Sequence, residues 1–216
     1  MEYSKSEWDL LLWPHSWHKR MNTALMTLIP CILWVGLFDV LGATNSILSD
    51  FIINSSTDIA VKIFLFLITV AIIGLFDIFC FAWPIADLCR YIAKRTEKFI
   101  APGFNIIFMK SYGYSHLPFM PLLLLSSPAA VDLMDLSRNP AFYAKALFFV
   151  LVILLNTQQY WQIGIMLRTI GVKSKILFSG KLVIAIAIVV WSYFIGYAVF
   201  SLVNMAYKAF GFLFGS

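Results

Sequence analysis

Long apolar runs alternate with short polar, mostly basic stretches along this chain. Five of the runs are long enough to cross a bilayer, since about 20 apolar residues do so as a helix. They cover about residues 23–42, 59–83, 114–134, 143–167 and 180–205. Pro84 is read as the end of the second run, and Pro118, Pro121 and Pro128 interrupt the third. Membrane helices accept prolines when neighbouring groups satisfy the carbonyls they free. The pattern therefore predicts an all-α integral membrane protein with five transmembrane helices. An interfacial helix over residues 1–22 precedes them, and a short external tail, 206–216, follows.

Two polar stretches carry helical periodicity of their own. In "SEWDLLLWPHSWHKRM", Trp8, Leu11, Leu12 and Trp17 form one apolar stripe, broken by charged residues and histidines. In "IADLCRYIAKRTEKFI", residues 85–100, Ile85, Leu88, Ile92 and Phe99 face one way and Arg90, Lys94, Arg95 and Lys98 the other. Tryptophan settles in the headgroup layer and basic side chains meet anionic lipid, so both read as helices lying on the membrane. Trp13, Pro14, Trp17, Arg90, Lys94, Arg95, Arg168 and Lys175 are the candidate contacts with headgroups or a partner protein.

Composition agrees with the pattern. Of 216 residues 61% are hydrophobic and only 12% charged, and the mean hydropathy is +0.86. Soluble domains average about 25% charged residues, so a water-soluble fold is excluded. Charge sets the orientation. Twelve of the sixteen basic residues fall before the first run, between runs two and three, or between runs four and five with Lys181 at the very start of the fifth. The positive-inside rule then puts the N-terminus in the cytoplasm and the C-terminus outside. The net charge of +5 is explained by anionic headgroups rather than nucleic acid. Three cysteines, Cys31, Cys80 and Cys89, sit in or beside spans and read as small packing residues, not disulfides.

One repeat stands out. "VGLFDV" at 35–40 returns as "IGLFDI" at 73–78, each with an aspartate in apolar surroundings, Asp39 and Asp77. A carboxylate inside a membrane costs several kcal/mol, about 2.5–3.5 kcal/mol on insertion scales, and marks a functional or partnered position. Counted from the ends of their spans, the two lie roughly 14 Å apart in depth, too far for a shared dyad. Asp77 falls near the level of Gln158, Gln159 and Gln162 in span four, and a hydrogen bond from one of these amides is expected. Asp77, Gln158, Gln159, Gln162 and Asp39 make up the candidate intramembrane polar site. His15 and His18 read as solvated interfacial histidines, and His116 as a polar anchor at a span entry. No metal, cofactor or enzyme motif is read from the sequence.

Three stretches resemble a known family. "LLLWPHSWHKRM" is similar to the short Pro-Trp helix that opens prokaryotic members of the YIP-one membrane proteins, relatives of eukaryotic Rab-interacting proteins. "SYGYSHLPFMPLLLL" resembles the family's entry into its third span, and "YWQIGIMLRTIGVKSKILFSGKLVIA" its link between spans four and five. The resemblance implies five spans with the N-terminus inside. It also implies a non-catalytic adaptor or organiser that binds a membrane or cytoplasmic protein through its basic face. "EWDLLLWP" lacks the glycine of the relatives' Rab-binding motif, so Rab binding is not carried over. The alternative is a small transporter, channel or lipid-translocating protein built around Asp77 and the span-four amides. Anionic lipid headgroups are expected partners in either case, homo-oligomers are left open, and the setting is a prokaryotic plasma membrane.

Overall fold

The computed structural model describes residues 9, 12–44, 59–125, 133–138 and 141–214. Trp8, Leu11 and Pro128, which entered the readings above, lie outside the described residues. Among the described residues, eight α-helices follow in order: α1 (His15–Arg20), α2 (Ile29–Thr44), α3 (Ile59–Arg95), α4 (Phe104–Ser115), α5 (Met120–Leu125), α6 (Leu133–Arg138), α7 (Phe142–Lys173) and α8 (Phe178–Phe214). Tight 3-10 turns, Leu25–Leu28 and Leu117–Phe119, lead into α2 and α5. Among the described residues the only β pairing is a bridge between Ile100 and Ser174.

Among the described residues, four segments are long and apolar enough to cross a membrane: Leu25–Ala43, Ala60–Arg95, Phe142–Lys173 and Phe178–Ala209. The expected third span is different. Helix already begins at Phe104, ten residues earlier than the hydropathy pattern starts, and breaks at His116 before resuming as α5. Asn105, Lys110 and Ser111 hide this helix from an apolar count, yet all three are buried. Gly113 rests on Cys31 near the start of α2, and Gly42 at the far end of α2 rests on Leu123. Residues 104–125 thus climb the length of α2 as a broken passage rather than one long helix.

Pro84 does not end the second span. α3 runs unbroken through it to Arg95, so residues 85–95 are the continuation of that helix and not a separate surface helix. A proline inside a helix removes one N–H and leaves the carbonyl four residues earlier without its donor, at a cost of about 3 kcal/mol or more. Here that carbonyl belongs to Cys80, and the indole Nε1–H of Trp191 on α8 donates to it at 2.9 Å. The helix ends eleven residues later in a Schellman turn. Glu97 takes the left-handed φ of 53° that such a turn needs, and the Lys98 N–H reaches the Ala93 carbonyl at 2.8 Å.

The core gathers along the buried faces of α2, α3, α4, α7 and α8, with Val35, Ile78, Phe81, Phe108, Ile165, Ile170, Ile184 and Ile188 almost fully enclosed. The outer faces are equally apolar. Phe64, Leu67, Ile72 and Leu75 on α3, and Val183, Ile186, Val190 and Phe194 on α8, all stand exposed. A soluble monomer rarely shows more than a few hundred Å² of contiguous apolar surface. Acyl chains are the solvent that this surface fits.

The pairing of Trp191 with the carbonyl freed by Pro84 is testable. Trp191→Phe leaves a partly buried carbonyl without a donor and should cost about 1–3 kcal/mol. In a Pro84→Ala background the helix makes its own bond and the same substitution should cost much less. Thermal midpoints of the four detergent-purified proteins check this. Equal losses in both backgrounds would contradict it.

Candidate functional site

The repeated "GLFD" is the point where α2 and α3 touch. A Cβ on Gly36 would lie 1.9 Å from the Val70 carbonyl oxygen, and one on Gly74 would lie 1.9 Å from that of Ile32. Only glycine leaves room for two backbones this close, the device that small residues serve in membrane helix pairs. Both contacts involve the glycine three residues before an aspartate. Side chains on a helix tilt toward its N-terminus. Because α2 and α3 run in opposite directions, Asp39 and Asp77 each lean back toward the crossing.

The separation in depth expected from the sequence is therefore wrong. The carboxyls of Asp39 and Asp77 and a ring nitrogen of His116 all lie within 4.8 Å of one another. Two errors combined. The helices overrun the ends inferred from hydropathy, so those ends do not mark depth, and counting backbone rise ignores the lean of the side chains. His116 is likewise no surface anchor: it is 4% exposed and stands at the junction of α4 and the following 3-10 turn.

α4 supplies the rest of the cluster through Tyr112 and His116, one turn apart. The Tyr112 hydroxyl donates to Asp77 Oδ2 at 2.7 Å. His116 Nδ1 lies 3.0 Å from the Tyr112 carbonyl oxygen. A carbonyl only accepts, so Nδ1 carries the hydrogen and Nε2 keeps its lone pair. Rings hold these groups in place. Tyr112 stacks on Phe81 with centroids 4.1 Å apart, and the His116 ring meets Tyr112 and Phe38 edge-on at 4.8 and 5.1 Å.

These groups form one wall of a cavity of about 270 Å³ that Gln158, Gln159, Gln162 and Ser192 also line. All five residues named from the sequence as an intramembrane polar site thus face the same space. The hydrogen-bond donor to Asp77 is Tyr112, however, and not the amides that the sequence nominated. Asp39 Oδ2 and Gln162 Nε2 are both buried without a hydrogen-bond partner. Gln159 on α7 and Gly196 and Phe200 on α8 are exposed as well as lining the cavity, so it opens at the surface between those two helices. Around Gly196 even an added Cβ would meet nothing within 4 Å.

The residues expected to contact headgroups or a partner divide in two. Arg90, Lys94, Arg95 and Lys175 are exposed. Arg168 is instead paired with the Asp9 carboxylate, and Trp13 and Trp17 stack on each other at 5.2 Å, with Pro14 exposed between them. Of the predicted N-terminal helix over residues 1–22, the described residues show the helical segment His15–Arg20, and Trp13, with a left-handed φ of 63°, lies outside that segment. His18 is not solvated but 0% exposed. Its Nε2–H donates to the Leu12 carbonyl at 2.9 Å, and its Nδ1 lies 2.8 Å from the Thr169 hydroxyl, which in turn lies 2.6 Å from that of Ser111. Trp17 packs edge-on against Tyr114 at 5.1 Å. Three segments far apart in sequence thus meet here, contributing His18, Ser111 and Thr169.

Comparison with protein-family models, with curated proteins and with solved structures finds no match to this chain.

The His18 network makes the N-terminal segment sensitive to pH. Burial is the main cause that lowers the His18 pKa below its usual 6.5, with Arg168, His15 and Lys173 adding repulsion against the Leu12 hydrogen bond. The folded protein therefore holds His18 neutral, while the unfolded chain takes up a proton at higher pH. Stability from this group is complete above about pH 6.5 and falls as pH drops below it, toward the lowered folded value. The thermal midpoint of wild type should decline from about pH 7.5 to about pH 5.5 more steeply than that of His18→Gln. Parallel curves would show that His18 does not titrate on unfolding.

Proposed function

We propose that this chain is a small multi-pass membrane transport protein, non-catalytic, whose cation-binding site is the polar cavity between α2, α3, α4, α7 and α8. One observation carries the reading: two carboxyls and an imidazole converge on a cavity inside helices long enough to cross a membrane. Ionisable groups at such depth are costly and are kept where they serve a substrate or ion pathway. Two carboxyls this close, away from bulk water, favour a proton or another cation between them. In this reading residues 104–125 make the fifth crossing. Broken helices commonly border transport sites because their irregular backbone can line a cavity. The distribution of basic residues supports an N-in, C-out arrangement in a prokaryotic plasma membrane.

A second reading has its own support. The exposed Arg90, Lys94, Arg95, Lys98 and Lys175 form a basic surface suited to anionic headgroups or to a partner protein. An adaptor or organiser of YIP-one type would use that surface. It gives no role to the buried cluster, and so it ranks second.

Flux into proteoliposomes separates the two. Wild-type protein should carry protons or small cations down an imposed gradient, and Asp77→Asn should lower the rate at least about tenfold, the scale of losing a site group worth 1.4 kcal/mol or more. Absence of flux for every cation tried, with one stoichiometric partner crosslinked in native membranes, would replace transport by the adaptor reading.

A further inference from the structure

We propose that Asp39, Asp77 and His116 together bind one divalent transition-metal cation, an inference that rests on the cavity being a cation site. The donor set points to this class. Two carboxylate oxygens and one imidazole nitrogen suit ions such as Zn²⁺, Mn²⁺, Fe²⁺ or Co²⁺, whereas Ca²⁺ and Mg²⁺ prefer all-oxygen shells. The charges also balance, since two carboxylates neutralise a divalent ion and leave no net charge within the bundle.

Each of the three groups is arranged as a metal ligand would be. Metal-binding histidines almost always donate their second ring N–H to a carboxylate or a backbone carbonyl. His116 does so, giving its Nδ1–H to the Tyr112 carbonyl and leaving the Nε2 lone pair free. Ligating carboxylates are in turn held by hydrogen bonds. The Tyr112 hydroxyl holds Asp77 by Oδ2, which leaves Oδ1 for an ion. Asp39, whose carboxyl lies against Asp77, offers the third ligand, and its Oδ2 is buried without a hydrogen-bond donor. One potential ligand atom from each of the three side chains already lies within 4.8 Å of the others, so a small inward movement brings the groups to the spacing around one ion. The cavity beside them has room for water to complete the coordination shell, and Gln158, Gln159 and Gln162 offer amide oxygens along its wall.

The arrangement assigns Tyr112 two positioning tasks at once. Its hydroxyl orients Asp77 and its carbonyl fixes the tautomer of His116, while Phe81 stacked on its ring prevents rotation. Removing the hydroxyl alone should weaken the metal rather than abolish it. Outer-shell partners of this kind change affinity by about 10–100-fold.

The test is a Co²⁺ and Zn²⁺ titration of the full-length protein, purified in detergent and stripped with a chelator. Visible absorption reports bound Co²⁺ and calorimetry reports Zn²⁺. Wild type should bind one ion per chain. Asp39→Asn and His116→Gln should lose binding, and Tyr112→Phe should weaken it by about 10–100-fold. Each variant is first checked for a single elution peak. Where one fails to fold, pulsed electron paramagnetic resonance of Mn²⁺ bound to wild type decides, because it reads nitrogen coupling from one imidazole. Three results would overturn the metal site: no saturable binding to wild type, full binding in both Asp39→Asn and His116→Gln, or bound Mn²⁺ with no imidazole nitrogen. Proton flux that Asp77→Asn removes from a protein without metal binding would sink the metal and leave the transport reading standing. Stoichiometric metal binding without flux would do the reverse.

Discussion

Everything distinctive about this molecule depends on the close crossing of α2 and α3 at Gly36 and Gly74. With a Cβ at either position the backbones would have to separate, because the atom in the way is a carbonyl oxygen and not a movable side chain. Separation would carry Asp39 and Asp77 apart with it. Backbone proximity at the glycines and carboxyl proximity one turn beyond them are one geometric fact. The repeat of "GLFD" is that fact written into the sequence.

Around this crossing the structure resolves several conflicts between local chemistry and burial. Pro84 breaks the hydrogen-bond ladder of α3, and Trp191 from α8 supplies the missing donor, which ties the fifth apolar run to the second. α4 carries polar residues into the core, and three of them find partners there. Lys110 reaches the Asn22 carbonyl and side-chain oxygens at 2.8 and 2.9 Å, Ser111 joins the His18 and Thr169 network, and Tyr112 meets Asp77. Lys173 likewise binds the Lys19 and Met21 carbonyls at 2.8 and 3.0 Å. Basic residues that a positive-inside count treats as free charges thus fasten the N-terminal segment to the bundle. Charge pattern predicts which side a segment occupies, and packing decides which of its charges remain exposed.

Much of this could be read from the sequence, and the failures have definite causes. Apolar run length locates four helices of membrane-crossing length, because hydrocarbon demands it of every lipid-facing turn. The same rule misplaces the start of the 104–125 passage, where Asn105, Lys110 and Ser111 are buried against protein rather than lipid. A proline rule applied locally ends α3 at Pro84, since the compensating tryptophan lies more than a hundred residues away. The polar positions of the site were visible as aspartates and glutamines in apolar surroundings. Their grouping was not. Tyr112 and His116 lack that contrast, because within "SYGYSH" their immediate neighbours are small or polar residues, although their spacing of four places them on one helix face.

The convergence of Asp39 and Asp77 on one point is the central claim, and thiol crosslinking in native membranes tests it most directly. Cysteines replace both aspartates in a chain from which Cys31, Cys80 and Cys89 have been removed. If the carboxyls meet as described, mercuric ion should bridge the two thiols within one chain and protect both from maleimide. Two thiols that each react with maleimide but are never bridged would contradict it. They would return the aspartates to separate depths and remove the shared site.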